Sequence, residues 1–235
     1  MSRRRRSILP AAVSLLAAAS LLSACGGSSP AGNGVASKSP AQILEATKAA
    51  AAQAASVHIS GSIDAAGKPI GLNMELLASK GGKGTISEDG FTIQLVQTEG
   101  SVYINGSAAF YKHVSGSAAA QLLQGRWLKA PANSGELASL ASLTDLSRLV
   151  DEALAGHGAL TKGATATIAG QPAIALHDAA KSGTLYVATT GRPYPLEITK
   201  SGRESGNVVL DRWDQPVHLS APAGAIEISK LQGGA

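Results

Sequence analysis

Ile70-Gly71-Leu72-Asn73-Met74-Glu75-Leu76 carries an apolar residue at every second position and a small or polar one between. A period of two is that of a strand with one face buried and one in water. The same rhythm runs on both sides. Upstream, Val57, Ile59 and Ile63 alternate with His58, Ser60 and Ser62; downstream, Phe91, Ile93 and Leu95 alternate with Thr92 and Gln94, and Val102 and Ile104 follow. Ala66-Gly67, Gly81-Gly82 and Asp89-Gly90 supply turns. These are half-buried antiparallel strands, giving a sheet with one apolar and one polar face.

Helical spacing flanks the strands. Ser39-Pro40 opens a helix, with Ser39 as N-cap and Pro40 in the first helical position. Ile43, Leu44, Thr47, Ala50, Ala51 and Ala54 then recur at three-and-four spacing to about Ala55. In the middle, Ser117 to Gln124 reads as a short helix, and leucines recur from Ser134 to Leu154. Thr144-Asp145 makes a break there, so two helices are expected, with Asp145 near the start of the second. Strands return at Thr165 to Ile168, at Ala173 to Leu176, and around Leu185, Leu196, Val208 and Val217. The order is helix, strands, helices, strands. No βαβ alternation is present, so an α+β fold with an antiparallel sheet is expected. About 200 residues suit one domain, 40–235.

The N-terminus has a different physics. Arg3 to Arg6 precede an apolar run from Ile8 to Leu22, which ends in Leu22-Ser23-Ala24-Cys25. The run is long enough for a signal and short for a spanning helix, which needs about 20 apolar residues. With small residues before the only cysteine, this reads as a lipoprotein signal, 1–24, and Cys25 as the acylated first residue (N-acyl and S-diacylglycerol). Acyl chains contribute about 0.8 kcal/mol per buried CH₂, so two or three hold a protein at a membrane. The expected location is the cell membrane, anchored on the extracytoplasmic face, by Sec export or by the twin-arginine route that Arg5-Arg6 also suits. Gly26 to Lys38 is rich in Gly, Ser, Ala and Pro and reads as a flexible tether, 25–39.

Charge and chemistry narrow the function. The chain has 20 Lys+Arg against 16 Asp+Glu, and four of the arginines leave with the signal. The remainder is neutral and gives no support for nucleic-acid binding. His58, His113, His157, His177 and His218 are scattered, without metal-ligand spacing. No serine has glycine both two residues before and two after it. Lys80-Gly81-Gly82-Lys83-Gly84-Thr85 lacks the ending of a phosphate loop and reads as a hairpin between strands. Asp151-Glu152 and Glu88-Asp89 are adjacent acids that do not face one another. Arg126 and Lys129 beside Trp127 either flank a structural tryptophan or meet a lipid phosphate at a cavity mouth. No enzyme constellation, metal or cofactor is expected.

The apolar sheet face has two physical outcomes. Leucine-rich helices fill it as a core, or leave a cavity of aliphatic lining. The candidate cavity face is Ile59, Ile63, Leu72, Met74, Leu76, Ile93, Leu95, Leu140, Leu143 and Leu149.

Several stretches, in this order, resemble the actinobacterial lipoproteins of the LppX/LprG type. They are the lipobox at Cys25, Ile43-Leu44-Glu45-Ala46, Val57-His58-Ile59-Ser60-Gly61, Gly125-Arg126-Trp127-Leu128-Lys129, Gly170-Gln171-Pro172-Ala173, Arg192-Pro193-Tyr194-Pro195-Leu196-Glu197-Ile198 and Trp213-Asp214-Gln215-Pro216-Val217 with Ala221-Pro222. The resemblance implies a curved antiparallel half-barrel closed by short helices, similar to periplasmic lipoprotein carriers of LolA/LolB-like fold. It implies a cavity for an acylated lipid or glycolipid, carriage within the cell envelope, and an envelope transporter as a further partner. An envelope sensor or protein-interaction lipoprotein with a filled core remains the alternative.

Overall fold

The computed structural model describes residues 31–65, 67–135, 137–202 and 204–232. The signal 1–24 and Cys25 lie outside them. Strands β1 (Ser56–Ala65), β2 (Lys68–Leu77), β3 (Gly81–Glu88), β4 (Phe91–Thr98), β5 (Ser101–Gly106) and β6 (Leu128–Pro131) come from the first half of the chain. The second half supplies β7 (Leu160–Ile168), β8 (Gln171–Asp178), β9 (Gly183–Ala188), β10 (Pro195–Lys200), β11 (Gly206–Asp211) and the two-residue β12 (Ile226–Glu227). They form one curved, unclosed sheet in the order β12-β6-β5-β4-β3-β2-β1-β11-β10-β9-β8-β7. All neighbours are antiparallel except β12 on β6. The late strand β11 joins the early strand β1, with Ile59 opposite Leu210, so the two halves of the chain share one sheet.

Five helices accompany it among the described residues: α1 (Pro40–Ala52), α2 (Ala108–Leu123), α3 (Leu137–Ser142), α4 (Leu146–Ala155) and α5 (Ile228–Gln232). Ser39 caps α1 as expected, and Gln42 returns the bond to the Ser39 amide. Asp145 caps α4 by accepting from the Arg148 amide. α1 and α4 pack together over the apolar sheet face. The fold class is thus the α+β half-barrel expected.

The strands give the sheet two ends. Ser56, Leu77, Gly81, Thr98, Ser101, Ala188, Pro195 and Asp211 lie at one; Lys68, Glu88, Phe91, Gly106, Gly183, Lys200 and Gly206 lie at the other. A clasp locks the first end. Trp213 stacks on Tyr194 at 4.5 Å, the Tyr194 hydroxyl donates to Asp214 at 2.5 Å, and Asp214 accepts the Ala55 amide at 2.8 Å. Trp213 Nε1 donates to the Pro195 carbonyl.

Four segments differ from the sequence expectations. Lys80 to Thr85 is not a hairpin loop; from Gly81 onward it is the start of β3, paired on both sides. Its glycines make room. A Cβ on Gly84 would lie 2.2 Å from the Asn73 carbonyl oxygen and 2.5 Å from Met74 Sδ; one on Gly82 would lie 2.7 Å from Leu76 Cδ2. Helix α2 starts at Ala108, not Ser117, because Ser107 caps it and the Phe110 ring fills the space left by Gly106. Gly116 (φ 84, ψ 175) then kinks it, so the expected 117–124 segment is its second half. Val217 and Leu219 lie in irregular chain between Pro216 and Pro222, which have no N–H to give a ladder.

The fourth difference is the tether. Within the expected 25–39, the described part from Gly32 onward is strapped to the domain. Gly32 bridges Thr190, and the Asn33 amide donates to Thr189 O at 2.8 Å. Asn33 Nδ2 donates to the carbonyls of Ala188 and Gly191. Val35, in a 3-10 turn, is 2% exposed in the main core, and Lys162 Nζ donates to the carbonyls of Ala36 and Lys38. An asparagine that folds back on the backbone, with one valine behind it, is enough to dock a segment whose composition reads as linker.

Candidate functional site

Directly paired residues share a sheet face, so the register defines rows across it. One row runs Leu128, Ile104, Leu95, Gly84, Met74, Ile59, Leu210. Its side chains are buried in one cluster with Ile43, Leu44, Leu146, Val150 and Leu154 of α1 and α4. Here the face is core. Leu76 and Leu95 are 0% exposed.

The next row, toward the open end, runs Ile93, Ile86, Leu72, Gly61, Val208, Ile198, Leu185. Its six side chains are only partly buried. Gly61, in the middle, has no side chain, and none fits: φ is 145 and a Cβ would lie 2.0 Å from the Asn207 carbonyl oxygen. The row therefore forms an apolar floor with a dip at its centre. Seven strands at about 4.8 Å spacing make it roughly 29 Å long.

A cleft stands at each end of this floor. One, of about 250 Å³, lies between β2–β4 and α2, with Ile86, Ile93, Phe110, His113 and Val114 in its wall. The other, of about 240 Å³, lies between the C-terminal half of α4 and β8–β10, with Leu44, Leu154, Leu160, Leu176, Leu185 and Ile198 in its wall. The exposed apolar residues Ile63 (41%) and Val114 (54%) are on this same end of the domain. The clefts carry charged lips. Lys68 pairs with Asp89 at 2.9 Å, and that bond raises the lysine above its ordinary range. Lys200 pairs with Glu204. Asp178 accepts the amides of Gly158, Ala180 and Lys181, and these bonds, Gly158 first, hold it below the usual carboxylate range.

The ten residues of the expected cavity face separate accordingly. Ile59, Met74, Leu76 and Leu95 are in the core; Leu140 and Leu149 pack against it from α3 and α4. Ile93 packs against the core and also forms the floor, with Leu72. Ile63 stands at the open lip, and Leu143 is half-buried at the α3–α4 junction. Ile86, Val208, Ile198 and Leu185 complete the floor. Val208, Ile198 and Leu185 stood in the expected strands, but only the register places them in one row with Leu72; Ile86 was hidden by the glycines before it.

Other candidate chemistry falls elsewhere. Lys129 pairs with Glu227 at 3.5 Å and lies 5.8 Å over the Tyr103 ring. Tyr103 is opposite Val96, on the convex face, and Trp127 lines a shallow cleft there with Asn73, Glu75, Gln94 and Val96, so Trp127 and Lys129 stand on the other side of the sheet from the floor while Leu128 joins the core. His58 bonds Asp211 at 2.6 Å and Asn73 at 3.1 Å, His113 stacks on Phe91, and His177 bonds Thr184. Among the described residues no three of His, Cys, Asp and Glu are placed to hold a metal, and no helix is long and apolar enough to cross a membrane.

No family model and no curated protein matches the sequence. Solved structures do match the fold. The chain is similar to LprF from Mycobacterium bovis, with 13% identity, 79% of this chain and 97% of that chain covered, and a TM-score of 0.55. It is similar to lipoprotein LppX from Mycobacterium tuberculosis, with 16% identity, 77% of this chain and 98% of that chain covered, and a TM-score of 0.52. At these identities the likeness is one of architecture, and the chain has the fold of the mycobacterial lipoproteins LprF and LppX.

Proposed function

We propose that the protein is a lipoprotein, anchored through acylated Cys25 on the extracytoplasmic face of the cell membrane, that carries acylated lipid in the cell envelope at the open end of its half-barrel. The observation that carries this is the half-buried row Ile93, Ile86, Leu72, Gly61, Val208, Ile198, Leu185, with an apolar cleft at each end. A bilayer's hydrocarbon core is about 30 Å thick, so one acyl chain needs about 15 Å. The floor holds roughly two such lengths end to end. Each cleft is a little smaller than the about 300 Å³ at which ligand pockets begin. A lipid therefore lies along the floor, with a chain tip in a cleft, rather than inside a closed chamber. Sheltering one 16-carbon chain is worth on the order of 12 kcal/mol, from the value per CH₂.

A second reading rests on a specific observation too. The row through Ile59, Met74 and Leu95 is filled, and so is Leu76 in the row beyond it, which suits an envelope sensor or protein-interaction lipoprotein. One experiment separates them. The non-acylated domain is purified from a native host, extracted, and the extract analysed by mass spectrometry, with lipid transfer between vesicles measured in parallel. The proposal expects co-purified acylated lipid, and a several-fold loss of both signals in Leu72→Gln/Val208→Gln. A lipid-free protein without transfer activity favours the filled-core reading.

A further inference from the structure

We propose that the docked strap turns the open end of the domain away from the bilayer that anchors it, so that cargo is exchanged with a different surface. The inference rests on the reading of Cys25 as the anchor. The strap is fixed at Gly32 against Thr190, which follows β9 at the clasped end of the sheet. Four hydrogen bonds of Asn33, to Thr189, Ala188, Gly191 and Val35, and the buried Val35 side chain hold it there. Both apolar clefts are at the opposite end, beside Glu88 and Phe91 and beside Gly183 and Lys200.

Chain length decides the orientation. Gly183 and Thr190 are seven residues apart, with Gly183–Ala188 in β9, a span of up to about 24 Å at ~3.4 Å per residue. Cys25 and Gly32 are also seven residues apart. That length spans at most about 25 Å fully extended, and about 15 Å root-mean-square as a coil. To rest its open end on its own bilayer with its strands upright, the domain would have to stand Gly32 up to about 24 Å off the surface, well beyond the coil length of the linker and close to its full extension. The inverted orientation stretches nothing. Had the whole of 25–39 been free, the linker would be twice as long, about 21 Å root-mean-square, and the domain would turn over easily. The strap thus sets the working length of the anchor.

The test uses the full acylated chain in phosphatidylcholine/phosphatidylglycerol vesicles containing a lipid whose headgroup carries a fluorescence quencher. Single cysteines, Gln171→Cys at the clasped end and Ser205→Cys at the open end, carry the same fluorophore, since the thiol of Cys25 is acylated. Quenching is expected to be several-fold stronger at position 171 than at 205. A flexible insertion of about 20 residues between Ala31 and Gly32, which touches no packed side chain, is expected to abolish the difference; Asn33→Ala/Val35→Ala is expected to reduce it. Equal quenching at both positions in the native-length chain, stronger quenching at 205, or a difference that survives the insertion overturns the proposal. Mass spectrometry of the N-terminal peptide keeps the two ideas apart. An unmodified Cys25 overturns the anchor itself, whereas acylated protein with symmetric quenching overturns the orientation alone.

Discussion

Leu95→Ala and Leu72→Ala test where core ends and site begins. Both leucines belong to the apolar sheet face, one row apart in register. Leu95 is 0% exposed, opposite Ile104 and Gly84, beneath the helices. Its truncation removes three carbons, about 2.4 kcal/mol at ~0.8 kcal/mol per buried CH₂. The cavity left behind adds more, because Ile104 and the helical layer relax only in part; totals of about 3–5 kcal/mol are usual for such sites. In a domain of this size 1 kcal/mol moves the melting temperature by about 2–4 °C, so a fall of roughly 10 °C is expected. Leu72 is half-exposed beside the gap at Gly61. Its truncation opens no closed void and is expected to lower stability by about 1 kcal/mol or less. Urea unfolding followed by circular dichroism, with unchanged m-value, gives both numbers. Lipid transfer should respond in the opposite order, strongly to Leu72→Ala and weakly to Leu95→Ala. Equal destabilisation by the two variants would refute the division of the face into core and floor.

Other substitutions probe the frame. Gly84→Ala sets a methyl against Met74 Sδ and the Asn73 carbonyl, and overpacking of this kind is expected to lower stability by about 1–3 kcal/mol; an unchanged urea midpoint would mean that β3 does not pack as described. Tyr194→Phe keeps the stack on Trp213 but removes the bond to Asp214. Because Asp214 is exposed and regains water, a loss of about 1 kcal/mol, or 2–4 °C in melting temperature, is expected. Asp214 is held low by the Tyr194 hydroxyl and then the Ala55 amide, and Asp178 by its backbone donors. A lowered folded-state value means that the unfolded chain binds the proton first. Their stabilisation is therefore complete above the ordinary Asp range, about 3.9, and is lost as pH falls through the lower folded values. The urea midpoint should be level from pH 7 to 5 and fall below pH 4, and Asp178→Asn should flatten that acid limb. An acid limb equally steep in Asp178→Asn would remove Asp178 from the account.

What the sequence disclosed followed the range of its signals. β2 is legible because one face is buried and one is wet. α1 and α4 are legible because Ser39 and Asp145 sit immediately before periodic apolar runs. β3 is not, since its inward residues Gly82 and Gly84 carry no side chain and their role is visible only from Met74 and Leu76 on the neighbouring strand. The strap is not legible either. Its composition is that of a linker, and what fixes it is Asn33 meeting carbonyls more than 150 residues away. The site was legible as a face and not as a place. Leu72 and Leu95 have the same pattern in the sequence; only the paths of α1, α3 and α4 decide which is covered.

The described strands form an open sheet, which matters for a protein that the proposed anchor would crowd onto a membrane. Among the described residues the sheet ends in two edge strands, and an edge strand is a template that another copy can extend. One edge is β12, only two residues long and followed at once by α5. The other is β7, where the pairing slips between Lys162 and Thr165, and where Lys162 turns its amine onto the strap. A short edge on one side, and an irregular, lysine-bearing one on the other, oppose edge-to-edge growth into fibrils. On the proposed anchoring, which would raise the local concentration at which such growth begins, these two small irregularities are expected to hinder edge-to-edge pairing of neighbouring half-barrels.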